Sequence, residues 1–468
     1  MVSANEDCRG VGSVHSTKES RNEAGGKGRT VNRFCRQNIQ AREAKQMMEK
    51  EKAEIARQVE KYDKVQSLMS FVNVSTLKES YLKQPKHKAV GIDEVTKEQY
   101  GEDLEENLSN LIERMKKFSY RPYPVRRAYI PKGNGKMRGL GIPSFEDKVV
   151  QGVFKEILEA IYEPKFLDCS FGFRPNRGCH DAIQRVNKHI MADKVNYIVD
   201  ADIKGFFDNI DHEWMIKFLE HDIADKNFIR YIKRFLIGGV MEDGKKLETD
   251  KGTVQGGLIS PVLANVYLHY VLDLWFKYIK EHEFKGEMYM VRYADDFVCL
   301  FQYENEARRF YEMLIERLKK FGLEIAEDKS RIMPFGRYKG GKETFDFLGF
   351  THINGKSHWG KYCVVHRTSK KKLKTKREAV KQWLKEHMHE SIPDTVEALN
   401  RKLVGHYNYY GIYGNWISLK KLYSYVKYEL FKSKRRRDQK KWLTWEKFKE
   451  IHRQFSLKWP KVRLTKAY

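Results

Sequence analysis

The chain has 468 residues, enough for about three domains of roughly 150 residues each. Its 89 Lys and Arg outweigh 63 Asp and Glu to give +26, a surplus beyond what solubility needs that points to a polyanionic partner, nucleic acid or an anionic membrane surface. Hydrophobic residues at 41% and aromatics at 13% exclude a wholly disordered basic tail protein.

Residues 1 to about 30 are rich in Gly, Ser, Asn and charge, a composition that cannot bury enough surface to order itself, and a mobile tail is expected there. Glu6, Asp7, Glu19 and Glu23 without an apolar core argue against a signal or transit peptide. From Gln37 to about Lys64 helix formers dominate without Pro or Gly, and Ile39, Met47, Ile55, Val59 and Tyr62 give only a thin apolar stripe, so a solvated helical arm is expected. Residues 1–64 are thus set apart as an N-terminal extension.

Between Val65 and Phe350 the texture changes to short β-rich runs, turns and amphipathic helices, the mark of an α+β enzyme core. Tyr129-Ile-Pro-Lys-Gly-Asn-Gly-Lys-Met-Arg-Gly-Leu-Gly-Ile-Pro143 reads as a glycine-rich turn in which backbone can approach phosphate, with Lys132 and Arg138 as its cations. The apolar window Gly257–Phe276 carries Asn265, His269, Asp273 and Pro261 and is not expected to span a membrane. In Glu304–Gly322, Ala307, Phe310, Leu314, Leu318 and Phe321 fall at helical spacing, and Gly322 supplies the stop. Cys8, Cys35, Cys169, Cys179, Cys299 and Cys363 form no C-x-x-C pair, so no zinc finger or Cys-clustered nuclease module is expected, and a reducing, cytoplasmic compartment fits.

Residues 366–468 are helical in pattern and hold 28 Lys and Arg against 9 Asp and Glu, a net +19 of the chain's +26. Tyr407, Tyr409, Tyr410, Tyr413, Trp416, Tyr423, Tyr425, Tyr428 and Phe431 are interleaved with that charge. This is the composition of a surface that tracks a phosphate backbone, with aromatics able to stack on unpaired bases or to form core.

The chemistry is concentrated in carboxylates. Asn196-Tyr-Ile-Val-Asp-Ala-Asp202 reads as a buried strand ending at Asp202, and Met288–Phe301 as two apolar strands broken by Ala294-Asp295-Asp296 without the usual hairpin glycine. Adjacent carboxylates at the tip of an apolar hairpin cost several kcal/mol unless cations compensate. Mg²⁺ is the natural compensator, and two such ions about 4 Å apart would activate a primer 3′-hydroxyl and stabilise leaving pyrophosphate.

On these residues the chain resembles the reverse transcriptases of group II introns, of the bacterial type lacking an H-N-H endonuclease domain. Tyr293-Ala294-Asp295-Asp296 is similar to their Y-x-D-D box, Asp202-Ile-Lys-Gly-Phe-Phe207 to their first carboxylate motif, and Gly252–Pro261 followed by Val262-Leu-Ala-Asn265 to the box of intron-encoded proteins. Val254 departs from the proline often found there. The resemblance implies a right-hand fold, with fingers and antiparallel-sheet palm over 65–365 and a basic helical thumb, or maturase domain, over 366–468. It implies two Mg²⁺ ions, replaceable by Mn²⁺, on Asp202, Asp295, Asp296 and the carbonyl of Ile203.

The same resemblance places Phe207 under the sugar as a barrier to ribonucleotides and Lys132 and Arg138 on the triphosphate. Gln255 and Gly256 then line the nucleotide pocket, and Lys329 protonates pyrophosphate. Phe345-Asp-Phe-Leu-Gly-Phe350 resembles a primer grip, and Phe171, Phe173 and Arg174 are structural or template-contacting. Gly405–Gly411 with Asn415 and Trp416 resembles the maturase region, and Lys432–Arg437 a phosphate-binding patch. The expected partners are intron RNA, an RNA template, a DNA or RNA primer and dNTPs, with a homodimer possible and no membrane. The expected function is RNA-directed DNA synthesis with a splicing-cofactor role. The alternative is a domesticated relative in antiviral defence or DNA repair.

Overall fold

The structure, a computed structural model, describes residues 46–131, 137–242, 244–247, 250–253, 256–437 and 443–462. Among these, eleven strands form three sheets. They are β1 (Val125–Pro131), β2 (Met137–Ile142), β3 (Tyr197–Asp202), β4 (Val240–Glu242), β5 (Lys245–Leu247), β6 (Met288–Tyr293), β7 (Asp296–Phe301), β8 (Arg331–Pro334), β9 (Thr344–Phe347), β10 (Phe350–Lys356) and β11 (Tyr362–Thr368).

The central sheet, in the order β6-β7-β3-β8, is antiparallel throughout. Its strands are apolar at nearly every position because both faces are covered. Val199, Ala201, Phe297, Cys299 and Phe301 point into the main core, where the helices Phe145–Tyr162, Ser260–Leu268 and Glu304–Lys320 pack. The alternate residues Ile198, Val291, Val298 and Leu300 enter a second core with Ala182, Val186 and Ile190 of the helix Cys179–Ala192 and Phe345 and Phe347 of β9. This two-residue alternation turns one buried strand into the seam between two cores.

The first sheet, β2-β1-β4-β5, carries the glycine-rich hairpin, and the third, β11-β10-β9, is a meander. The window 257–276 folds as the buried helix Ser260–Leu268, a π-helical segment His269–Asp273 and the start of the helix Leu274–His282. Among the described residues no helix is long and apolar enough to cross a membrane. The helix expected at 304–322 forms over Glu304–Lys320 and buries Ala307, Phe310, Leu314 and Leu318.

The expected solvated arm is docked instead. Residues 46–61 are helical, and Met48 and Ile55 are buried in the main core. The stripe was misjudged by one position, since Met48 turns inward while Met47 stays exposed. Glu156 on a core helix pairs with Lys52 and so ties the arm down. The part of the arm before residue 46 and the expected tail lie outside the described residues.

After β11 the chain forms four described helices, Lys370–Glu386, Ile392–Tyr410, Trp416–Arg437 and Trp445–Gln454. They share a separate core of Val380, Leu384, Leu399, Leu403, Leu419, Leu422, Val426, Leu430 and Phe448.

Candidate active site

Strand register brings the distant carboxylates together. Asp202, the last residue of β3, is the direct cross-strand partner of Asp296, the first of β7. Tyr293 pairs with the same Asp296, so Ala294 and Asp295 form a two-residue turn. Ala294 has φ of 57° where such a turn usually takes glycine, a conformation costing an alanine roughly 1–2 kcal/mol.

The surroundings hold that strained turn from behind. Arg292, fully buried, donates from Nη1 to the carbonyl of Ala294 at 3.0 Å and to Asn265 Oδ1 at 3.0 Å, and from Nη2 to Ser170 Oγ at 2.8 Å. Asp273, also fully buried, accepts from Arg292 Nε at 2.8 Å and from Nη2. Gly172 lies on the turn so closely that a Cβ there would sit 2.3 Å from the Ala294 nitrogen. Asn265 Nδ2 holds the Gly172 carbonyl at 2.7 Å, and the Phe171 amide donates to the Arg292 carbonyl at 2.8 Å.

The other side of the corner is closed by the segment after the helix Glu304–Lys320. The amide of Ala326 donates to the Asp202 carbonyl and that of Lys204 to the Glu324 carbonyl, both at 2.8 Å, and Ile203 bridges Ile325. This places Lys329 Nζ 2.7 Å from Asp202 Oδ2, and the ion pair pushes the Lys329 ammonium above its usual range.

The carboxylates repel one another. Burial, then the charges of Asp200, Asp295 and Asp202, pushes Asp296 up to about 7, against a backbone hydrogen bond from Leu348. Asp295 is raised by burial and by Asp202, with Arg138 and Arg292 opposing. Asp200 is raised to about 6, mainly by burial, with Arg331 opposing and Asp346 and Asp202 adding. Asp200 was missed by sequence reasoning, although two residues before Asp202 on a strand is the same face.

Hard oxygen donors in this number are what Mg²⁺ takes, and the mutual repulsion marks a corner in want of positive charge, so the residues fit a divalent ion. Among the described residues no three His, Cys, Asp or Glu side chains are already gathered as a metal cluster, and Asp202 is engaged by Lys329.

Around this corner the other expected residues fall as follows. Arg138 is exposed on β2, opposite Ile130, and its charge reaches Asp295. Lys132 and Gln255 lie outside the described residues. Gly256 has φ of 116°, and a Cβ on it would come 2.6 Å from the Gly141 carbonyl, so it seats its loop against β2. Phe207 is half-buried in the short turn Phe206–Asn209, edge-on to Phe206 at 5.3 Å, and its carbonyl accepts from the Thr253 amide at 2.8 Å.

Phe171 is core, and Arg174 is buried against Glu163 and the carbonyls of Leu167 and Ser170, so both are structural. Phe173 is exposed, with its ring 6.4 Å from that of Tyr293. The expected primer-grip segment is a hairpin whose turn residues Leu348 and Gly349 both have positive φ, 50° and 79°, as a type I′ turn requires. In the C-terminal region Tyr407 is core, while Asn415, between two helices, is buried and bonds Thr368 and Tyr410, which makes it a structural residue.

Carboxylates at the end of one central strand and at the adjoining hairpin of an antiparallel sheet, followed by a helical bundle, define a right-hand fold. A family profile described as reverse transcriptase (RNA-dependent DNA polymerase) matches residues 130–352. The group II intron-encoded protein LtrA of Lactococcus lactis is 44% identical over 182 residues, 38% of this chain and 30% of its own length. Protein YkfC of Escherichia coli is 30% identical over 317 residues, 61% of this chain and 81% of its own length. The solved telomerase of Candida albicans with a telomeric RNA fragment aligns at TM-score 0.42 and 12% identity, over 76% of this chain and 68% of its own. The chain belongs to the group II intron-encoded reverse transcriptases and maturases, and its match spans less than a third of the length of LtrA.

Proposed function

We propose that the chain is an RNA-directed DNA polymerase that copies RNA into cDNA and also binds its intron RNA as a splicing cofactor. The observation that carries the polymerase reading is the register of β3 on β7, which sets Asp202 against Asp296 with Asp295 on the adjoining turn. Two Mg²⁺ ions, or Mn²⁺ in their place, supply activation of the primer 3′-hydroxyl and neutralisation of pyrophosphate when held by Asp202, Asp295, Asp296 and the Ile203 carbonyl.

The remaining roles belong to the chain's own groups. Lys132 and Arg138 meet the triphosphate, and Gln255 and Gly256 line the nucleotide pocket. Phe207 excludes the 2′-hydroxyl. Lys329 carries on Nζ the proton that leaves with pyrophosphate. The Leu348-Gly349 turn positions the primer end beside Asp296.

Residues 65–365 serve as fingers and palm and 366–468 as thumb and maturase domain, whose net +19 grips the phosphates of template, primer and intron RNA. Splicing chemistry remains with the ribozyme, and the protein supplies binding energy to its active fold. The working compartment is the cytoplasm, with a homodimer as one assembly state. The domesticated defence or repair alternative is less favoured, because the relatives are named as intron proteins.

The test is to sequence RNA that copurifies with the protein, then assay its splicing at near-physiological Mg²⁺ with wild type and Asp295→Ala. The reading requires cDNA synthesis to vanish and splicing to persist in the variant. A wild type that extends no primer on any RNA template defeats it.

A further inference from the structure

The third sheet has two ends. At one, the Leu348-Gly349 turn meets Asp296. At the other, β10 and β11 join through a loop that presents Trp359, 82% exposed. The seven residues of β10 separate the two ends by about 20 Å at roughly 3.3 Å per residue.

That far loop is built, not frayed. The Ser357 amide donates to the Lys361 carbonyl at 2.7 Å and the Gly360 amide to the Ser357 carbonyl at 3.0 Å. Lys356, His358 and Lys361 flank Trp359, all exposed. A second loop, between β8 and β9, is fastened beside it by Asn354. Asn354 Oδ1 accepts from Tyr362 Oη at 2.6 Å and from the Gly336 amide at 3.3 Å, while its Nδ2 donates to the carbonyls of Gly340 and Gly341. This second loop adds Arg337, Lys339, Lys342 and Tyr338, the last 64% exposed. Five cations and two exposed aromatics thus share one lobe with a single acid, Glu343.

An exposed indole among lysines has no packing role to explain it. An acidic protein surface would satisfy the charges yet leave the flat face of Trp359 unused, whereas Arg337 already lies over the Tyr338 ring at 5.9 Å. Single-stranded RNA satisfies both, phosphates on the cations and bases on the rings. We propose that this lobe is a second RNA-binding site, which stacks an unpaired base on Trp359 and holds the flanking phosphates with Lys356 and Lys361. It lies about 20 Å from the carboxylate corner, a span that about six nucleotides cover at a helical rise of roughly 3.4 Å each and fewer cover if the strand is extended. The inference rests on RNA being the partner of the chain, as in the reading above.

The experiment photocrosslinks the full chain to a 20-nucleotide single-stranded RNA carrying 4-thiouridine and maps the adducts by mass spectrometry. Affinity is measured in parallel by fluorescence anisotropy. Adducts on the peptide containing Trp359 are expected, lost in Trp359→Ala and retained in Trp359→Phe. Affinity should fall about tenfold in Trp359→Ala, and Lys356→Ala with Lys361→Ala should lower the salt slope by about two.

RNA that binds with all its adducts elsewhere overturns the proposal. So does Trp359→Ala weakening heparin, which has no bases, as much as it weakens RNA. Primer extension by the wild type, on a template too short to reach the lobe, is measured separately. Its failure would sink the polymerase reading and leave the crosslink result standing.

Discussion

Asp202 and Asp296 face each other as direct register partners across β3 and β7, so two carboxylates share one cross-strand pair. Like charges directly opposite one another destabilise a sheet, so the pair is a cost that a bound cation would offset. Replacing either with Asn keeps the shape and removes the repulsion. Primer extension should fall by at least about a thousandfold, the scale of losing a directly acting charged group, while the melting temperature holds or rises. Residual activity within tenfold of wild type would remove these two residues from catalysis.

Arg292 offers a sharper separation of stability from rate. Arg292→Met leaves Asp273 buried without its partner, a loss of roughly 3–5 kcal/mol that thermal or denaturant melting will register. Adding Asp273→Leu should restore most of that stability, since an apolar pair can replace a buried ion pair. It should not restore turnover, because nothing then holds the Ala294 carbonyl. Recovery of kcat together with stability would show that the arginine is packing only.

Phe207 is attached to its surroundings by its backbone carbonyl, which takes the Thr253 amide, so shortening the side chain leaves the turn in place. Phe207→Ala should raise ribonucleotide incorporation relative to deoxynucleotide by about tenfold or more, the weight of one steric contact of roughly 1–3 kcal/mol. Competitive incorporation of rNTP and dNTP measures it. Unchanged discrimination would withdraw the residue from the sugar site.

The carboxylates were legible because a buried strand ending in Asp and an apolar hairpin tipped by two Asp leave few other readings. Asp200 is hidden because the recognisable motif begins at Asp202, although alternate residues on a strand share a face. Arg292 escaped as well, yet a lone arginine inside Met288–Tyr293 had to be paired, and its partner Asp273 lay in the window already noted for carrying charge. The docking of residues 46–61 was not readable, because Met48 and Ile55 make a sparse stripe that only the receiving surface turns into a contact. Phe173 and Arg174 stand side by side in sequence and part company in space, one exposed and one buried, which a motif alone does not resolve.

His352 and His366 are partners on β10 and β11, their rings 4.8 Å apart inside the third sheet. Burial holds His352 well below the usual histidine range, with His366 adding, and lowers His366 to about 4. A folded value below the unfolded 6.5 means that the unfolded chain takes up protons first. The stability is therefore present above pH 6.5 and drains as pH falls toward 4, by on the order of 3 kcal/mol at most from His366. Denaturant midpoints measured between pH 7 and 4 should fall steeply in the wild type and less so in His366→Phe. Parallel curves for the two would exclude the pair as a source of acid sensitivity.

Tyr409 links the basic helical bundle to the carboxylate corner through one turn of chain. Its hydroxyl donates to the Leu348 carbonyl at 2.8 Å, its ring stacks on Phe350, and the Leu348 amide bonds the Asp296 carboxylate. Tyr409→Phe keeps the stack and deletes the hydroxyl's bonds to the Leu348 carbonyl and to the Cys179 side chain, each worth about 1 kcal/mol or less. The first nucleotide added to a preformed primer end should change little, since Asp296 keeps its bond to Leu348. Over many additions the bundle and the turn must stay in step while the duplex moves, so cDNA lengths should shorten several-fold under single-encounter conditions with a trap. Equal length distributions for the two proteins would mean that the bundle and the primer end are positioned independently.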